Sequence, residues 1–216
     1  MPSLEELLRS DVNILIIGAS NSGKSHLTKY IVKRLFVTNK IDYYIVISPT
    51  IYNGDWDCIP SSFQYGPQDA KTAIEKVLSY QMNHITENIH VGIIIDDCIG
   101  SLKFNDVFYT KLYSTYRHPK ITLITISQFP MKLSTLMRAN ADYVFLLKQN
   151  GERALKGIYS DYFCFMDYRS YLNYIQENTD NYKFIMIDLK TKSTKDSDKY
   201  KVGKAPSDLG NFMLEY

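Results

Sequence analysis

Val12-Asn13-Ile14-Leu15-Ile16-Ile17-Gly18-Ala19-Ser20-Asn21-Ser22-Gly23-Lys24-Ser25 is the stretch that decides the fold. Its first six residues form a dense, β-branched apolar run, the pattern of a strand buried on both faces. The next eight match G-x-x-x-x-G-K-[ST]. Glycines there let the backbone wrap tightly, so that successive N–H groups converge on phosphate oxygens. Residues 24–36 then place Leu27, Ile31 and Leu35 on one helical stripe. The helix N-terminus turns its partial positive charge toward the same anion. A strand, a glycine loop and an amphipathic helix in this order give the motif its structural context. Gly18, Ala19, Ser20, Asn21, Ser22, Gly23, Lys24, Ser25 and His26 are therefore the expected nucleotide-binding residues. Lys24 is expected to reach the β- and γ-phosphates, and Ser25 to ligate Mg²⁺.

Further along the chain, Ile93-Ile94-Ile95-Asp96-Asp97 is an apolar strand ending in two carboxylates. In a parallel α/β sheet the strand C-termini line the ligand edge. Asp96 is thus expected in the Mg²⁺ shell beside Ser25, and Asp97 as the residue that polarises an attacking water. The strand at 121–126 is followed by Ser127 and Gln128; Gln128 has the longer reach toward a γ-phosphate. The remaining pattern predicts strands at 43–47, 89–95, 143–147 and 182–188. It predicts helices at 67–82, 105–116, 151–158 and 167–177, and a short first helix from a capping box at Ser3–Glu6. Residues 51–66 read as a loop. Strands alternating with helices mean an α/β three-layer domain with a mostly parallel sheet.

Composition bounds the rest. Lys and Arg number 25 against 23 Asp and Glu, a formal net charge of +2 that argues against a polybasic protein. Cys58, Cys98 and Cys164 are odd in number and far apart, which fits a reducing compartment and neither a zinc site nor a disulfide framework. No apolar stretch is long enough for a membrane span, and no leader is evident, so a soluble intracellular protein is expected. Lys190–Lys204 holds six lysines among serines and threonines. It reads as a basic tail or exposed loop (189–216) appended to an ATPase domain at 1–188.

Asn39-Lys40-Ile41-Asp42 spells the guanine-reading motif N-K-x-D, but too early in the chain. It reads as a helix-ending turn, which leaves ATP preferred over GTP. Only six arginines occur. An arginine commonly accelerates phosphoryl transfer by about 10³–10⁵. Arg117, before the fourth main strand, and Arg138, before the fifth, are the two candidates, with Arg153 third.

The order of Gly18–Ser25, Ser48-Pro49-Thr50, Ile95-Asp96-Asp97, Tyr116-Arg117-His118, Ser127-Gln128 and Met137-Arg138-Ala139-Asn140-Ala141-Asp142 resembles the poxvirus-type genome-packaging ATPases of large DNA viruses. These are P-loop motors of the FtsK/HerA superfamily. The resemblance covers residues 12–160 and implies a three-layer P-loop NTPase fold of the RecA-like (ASCE) kind. In it the Gln128 strand lies between the phosphate-loop strand and the acidic strand. It further implies a homo-oligomeric ring, pentamer or hexamer, that uses Mg·ATP to drive double-stranded DNA into a preformed capsid at its portal vertex. The implied location is the viral assembly site in the host cytoplasm, and an arginine acting on the neighbouring subunit's site is also implied. One departure stands out: many relatives carry Glu where Asp97 stands. The lysines at 190–204 could contact DNA phosphates without sequence preference, or simply be solvated. Two other readings stay open, a nucleoside or nucleotide kinase and a non-hydrolysing nucleotide-binding scaffold.

Overall fold

β1 (Asn13–Ile17) is buried along its whole length, as its unbroken apolar pattern requires. In the computed structural model, which describes residues 8–216, it lies inside an eight-stranded sheet. The other strands are β2 (Tyr43–Ile47), β3 (Gln64–Tyr65), β4 (Val91–Asp96), β5 (Ile121–Ser127), β6 (Tyr143–Leu146), β7 (Lys183–Asp188) and β8 (Tyr200–Lys204). Their order across the sheet is β3-β2-β4-β5-β1-β6-β7-β8. The first six in that order run parallel; β7 and β8 add an antiparallel edge. The helices are α1 (Lys24–Val37), α2 (Ala70–Asn83), α3 (Val107–Thr115), α4 (Thr135–Ala139), α5 (Glu152–Ile158), α6 (Tyr168–Thr179) and the single turn α7 (Asp196–Lys199).

Alternation along each strand divides the core into two layers. Leu15, Ile17, Ile93, Ile95, Leu123 and Val144 face α2, α3 and α6. Ile14, Ile16, Ile94, Ile124, Ile126 and Phe145 face α1, through Leu27, Ile31, Val32 and Leu35. The expected three-layer α/β architecture is therefore present, with β5 between β1 and β4. Asn39 ends the turn after α1 with φ 52°, on the rim opposite the glycine loop. That is where a helix-ending turn belongs and where a base-reading motif does not.

Two expectations need correction. The segment expected as a basic tail or exposed loop supplies β8, paired with β7 from Lys183↔Lys204 to Ile187↔Tyr200. Its lysines alternate with Tyr200 and Val202, which pack on the core, so the edge is both lysine-rich and held in the sheet. The chain then crosses α1 and ends against β2. Leu214 is buried in the α1 layer, and the Tyr216 hydroxyl accepts from Tyr44 N at 2.9 Å. The boundary at 189 thus falls just after β7, within a sheet that continues into β8. The second correction is small: the loop expected at 51–66 contains β3 and a buried Trp56. The first helix lies outside the described residues for the most part, and Leu8–Asp11 are not helical.

Candidate nucleotide-binding site

The glycine loop leaves β1 at the carboxyl edge of the sheet and enters α1 at Lys24. Gly18 N donates to Ser127 O at 3.2 Å and Ala19 N to Lys148 O at 2.8 Å, which pins the loop to β5 and to the segment just past β6. Gly23 has φ 94°, a left-handed conformation that favours glycine. A Cβ on Gly18 would sit 2.4 Å from Ser22 Oγ and 2.9 Å from Leu147 Cβ. The motif's two glycines are thus required by backbone conformation and by close approach, as the pattern predicts.

Lys24 is buried, and its Nζ donates to Ala19 O at 2.7 Å across the loop. Burial pulls its pKa down, while the nearby Asp97 and Asp96 push it back up. Asp96 ends β4 and is also buried. Its Oδ2 accepts from Trp56 Nε1 at 3.0 Å and from Ser48 Oγ at 3.4 Å. Burial raises its pKa; the Trp56 hydrogen bond opposes this, and Asp97 adds to it. Asp97 adopts φ 47°, a left-handed conformation in which Asp is among the tolerated residues. Its Oδ2 accepts from Gln128 Nε2 at 2.6 Å. The structure therefore joins Asp97 and Gln128, which lie 31 residues apart, into one pair at the loop's edge.

These residues can hold a magnesium ion together with a nucleotide. Ser25 is exposed at the start of α1, and Asp96 supplies a hard carboxylate oxygen, the donor chemistry that Mg²⁺ selects. Ser22 Oγ is buried in the loop without a hydrogen-bond partner. Among the described residues no cluster of three or more His, Cys, Asp or Glu could cage a metal by itself. A cation here would complete its shell with phosphate oxygens and water, the usual arrangement for magnesium. Cys98 plays no part in it: its thiol is buried against the carbonyls of Ile47 and Asp96, and burial pushes its pKa up to about 12.

Two cavities flank the loop. One, of about 330 Å³, is lined by Gly23, His26, Leu27, Leu147, Tyr182 and Lys204 among others. The exposed Tyr182 ring lies over Gly23, with Cδ1 3.1 Å from where a Cβ would stand. His26 Nε2 donates to Pro206 O at 2.6 Å. The other cavity, of about 510 Å³, is lined by Ala19, Ser20, Gln128, Gln149, Arg153 and the exposed Phe129 and Met131, among others. Tyr182 and the Phe129 wall went unrecognised in the sequence, because each reaches the loop only through strand order.

The arginines expected to act on a neighbouring subunit's site stand away from the loop of their own chain. Arg117 precedes β5 and so stands on the amino rim, about 20 Å of strand away from the loop. There Arg117 Nη2 donates to Asp142 Oδ1 at 2.6 Å, and Tyr116 and Asn13 N donate to Asp142 Oδ2 at 2.6 and 2.7 Å. Arg138 pairs with Asp161 at 2.8 Å and donates to Leu133 O at 2.5 Å, with its side chain only 13% exposed. Neither reaches the loop of its own chain. Arg153, the third choice, lines the larger cavity and is exposed.

The Asp142 cluster carries a prediction. Its carboxylate is 3% exposed and pairs with Arg117 at 2.6 Å and with Lys190 Nζ at 3.3 Å, so removing Arg117 leaves the longer ion pair alone to neutralise it. Arg117→Ala is expected to lower unfolding stability by about 1–3 kcal/mol in a denaturant titration. ATP turnover per folded molecule is expected to stay within about twofold, because the amino rim is remote from the loop. A collapse of turnover at unchanged stability would instead make Arg117 a residue acting on a neighbour.

Sheet order, glycine loop and acidic strand together define the fold of the P-loop ATPases. No family model matches the chain. Uncharacterized protein 075L of Invertebrate iridescent virus 6 is 28% identical over 183 residues, covering 81% of this chain and 69% of its own length. Among solved structures, the genome packaging NTPase B204 of Sulfolobus turreted icosahedral virus 2, in complex with AMPPCP, superimposes with a TM-score of 0.66. The match covers 91% of this chain and 99% of that one at 18% identity. The pCW3 conjugation coupling protein TcpA, with bound ATPγS, gives a TM-score of 0.62 at 10% identity, over 95% of this chain and 61% of that one. No helix among the described residues is long and apolar enough to cross a membrane.

Proposed function

We propose that this chain is an Mg·ATP-hydrolysing motor that moves double-stranded DNA into a viral capsid. The observation that carries the reading is the convergence of Lys24, Asp96 and the Asp97–Gln128 pair on one loop at the carboxyl edge of the sheet. Likeness to a genome packaging NTPase over nearly the whole of both chains supports the biological role. Likeness to large-DNA-virus proteins supports the source of the DNA and assembly within the host cell.

The mechanism follows from the residues. The loop amides from Gly18 to Ser25 and the α1 N-terminus would hold the triphosphate, with Lys24 leaving Ala19 O to reach the outer phosphates. The γ-phosphate would lie toward β5 and β4, where Gln128 and the acids stand. The base would then lie on the other side, over Tyr182 and beside His26, in the smaller cavity. Ser25 and Asp96 would hold magnesium, which when bound neutralises charge on the phosphates. Asp97 would accept the proton of the attacking water, with Gln128 fixing its orientation through the 2.6 Å hydrogen bond. Arg153, which lines the larger cavity, would neutralise the transferred phosphoryl, and Phe129 and Met131 beside it would offer apolar surface to a neighbouring subunit of a ring. The lysines of β8 and its approach would contact DNA phosphates.

The test is steady-state ATP turnover with and without linear duplex DNA. Stimulation by DNA, lost progressively as salt rises, is the expected result. Phosphate transfer to a nucleoside would mark a kinase, and absence of turnover a nucleotide-binding scaffold.

A further inference from the structure

We infer that Trp56 is a positioning residue for the magnesium-binding carboxylate, its indole N–H fixing one oxygen of Asp96 so that the other serves the cation shell. The inference rests on the proposed role of Asp96.

Trp56 is the chain's single tryptophan. It lies in the excursion between β2 and β3, fully buried between the exposed Asp55 and Asp57. Apolar filling alone would be met by Leu or Phe. A buried indole brings an N–H that must find an acceptor. Here the acceptor is Asp96 Oδ2 at 3.0 Å, on a residue 40 positions away. Ser48 Oγ donates to the same oxygen at the longer distance of 3.4 Å. Both protein donors therefore converge on Oδ2. The backbone behind the indole is itself clamped. Gln64 Nε2 donates to Trp56 O at 3.1 Å and to Ile59 O at 2.7 Å, and Ile59 N donates to Trp56 O at 2.8 Å.

Indole is a donor only, so Trp56 can neither ligate magnesium nor reverse its role as the site fills. A hydroxyl or water at the same place could rotate and let the carboxylate swing. Partners that orient a metal's ligands typically contribute 10–100-fold in metal affinity.

The experiment compares the wild-type protein with Trp56→Phe and with a protein carrying the benzothiophene isostere at 56. The isostere keeps the two-ring volume and deletes only the N–H. Binding of a non-hydrolysable ATP analogue is measured by calorimetry across Mg²⁺ concentrations and in EDTA. In the isostere protein the Mg²⁺ concentration for half-maximal enhancement of binding should rise about tenfold or more. Binding in EDTA should stay within about twofold of wild type, because the loop amides and Lys24 are untouched. An unchanged Mg²⁺ dependence overturns the inference, as does an equal loss with and without Mg²⁺, the mark of a merely structural tryptophan. A wild-type protein whose binding gains nothing from Mg²⁺ would remove the proposed site itself, and this inference with it.

Discussion

Lys24→Ala should reduce ATP turnover by at least about 10²–10³-fold, the effect of deleting one preorganised donor to developing phosphoryl charge. The ammonium is buried and bonded to a carbonyl of its own loop, the loop proposed to cradle the phosphates. Burial lowers its pKa, and Asp97 and Asp96 oppose that shift. Alanine should leave the fold intact. The loop is pinned by backbone bonds from Gly18 and Ala19, and α1 by its own core contacts. The check is turnover alongside a thermal melt: a normal melt with lost turnover is expected. Full activity in the variant would remove the loop from catalysis.

The second large effect is expected at Asp97. Asp97→Asn should cut turnover by about 10²–10⁴-fold, the range for loss of a general base. Binding of the Mg·ATP analogue should change by no more than about twofold, since the proposed cation ligands are Asp96 and Ser25 rather than Asp97. The amide keeps an oxygen able to accept from Gln128 Nε2, so the pair's geometry survives while its basicity does not. Gln128→Ala should give a smaller loss, because its proposed role is to orient the base rather than to act as one. Unchanged turnover in Asp97→Asn would take this residue out of the mechanism and return the role of base to another group.

How far the sequence reveals this site depends on how local each signal is. β1, the loop and α1 are contiguous, so their periodicities and glycines carry the whole element. Asp96 is legible for the same reason, as the end of an apolar strand. β8 is not. Tyr200-Lys201-Val202-Gly203-Lys204 has little apolar content of its own, and Gly203 is needed because a Cβ there would lie 2.6 Å from the Phe184 ring. Its strand character comes from β7. Trp56 is hidden likewise: the Asn53-Gly54-Asp55 context reads as loop, and its partner lies on β4. The arginines follow a simpler rule. A residue that precedes a parallel strand stands on the rim away from the strand's ligand edge. Arg117 and Asp142 meet there for that reason, while Arg153, beyond the end of β6, comes to the loop.

The most direct measurement is a structure of the chain with Mg²⁺ and a non-hydrolysable ATP analogue. The account predicts phosphates cradled by the amides of residues 18–25, the cation between Ser25 and Asp96, and the base on Tyr182. A triphosphate bound elsewhere, or a glycine loop left without phosphate at saturating analogue, would contradict it.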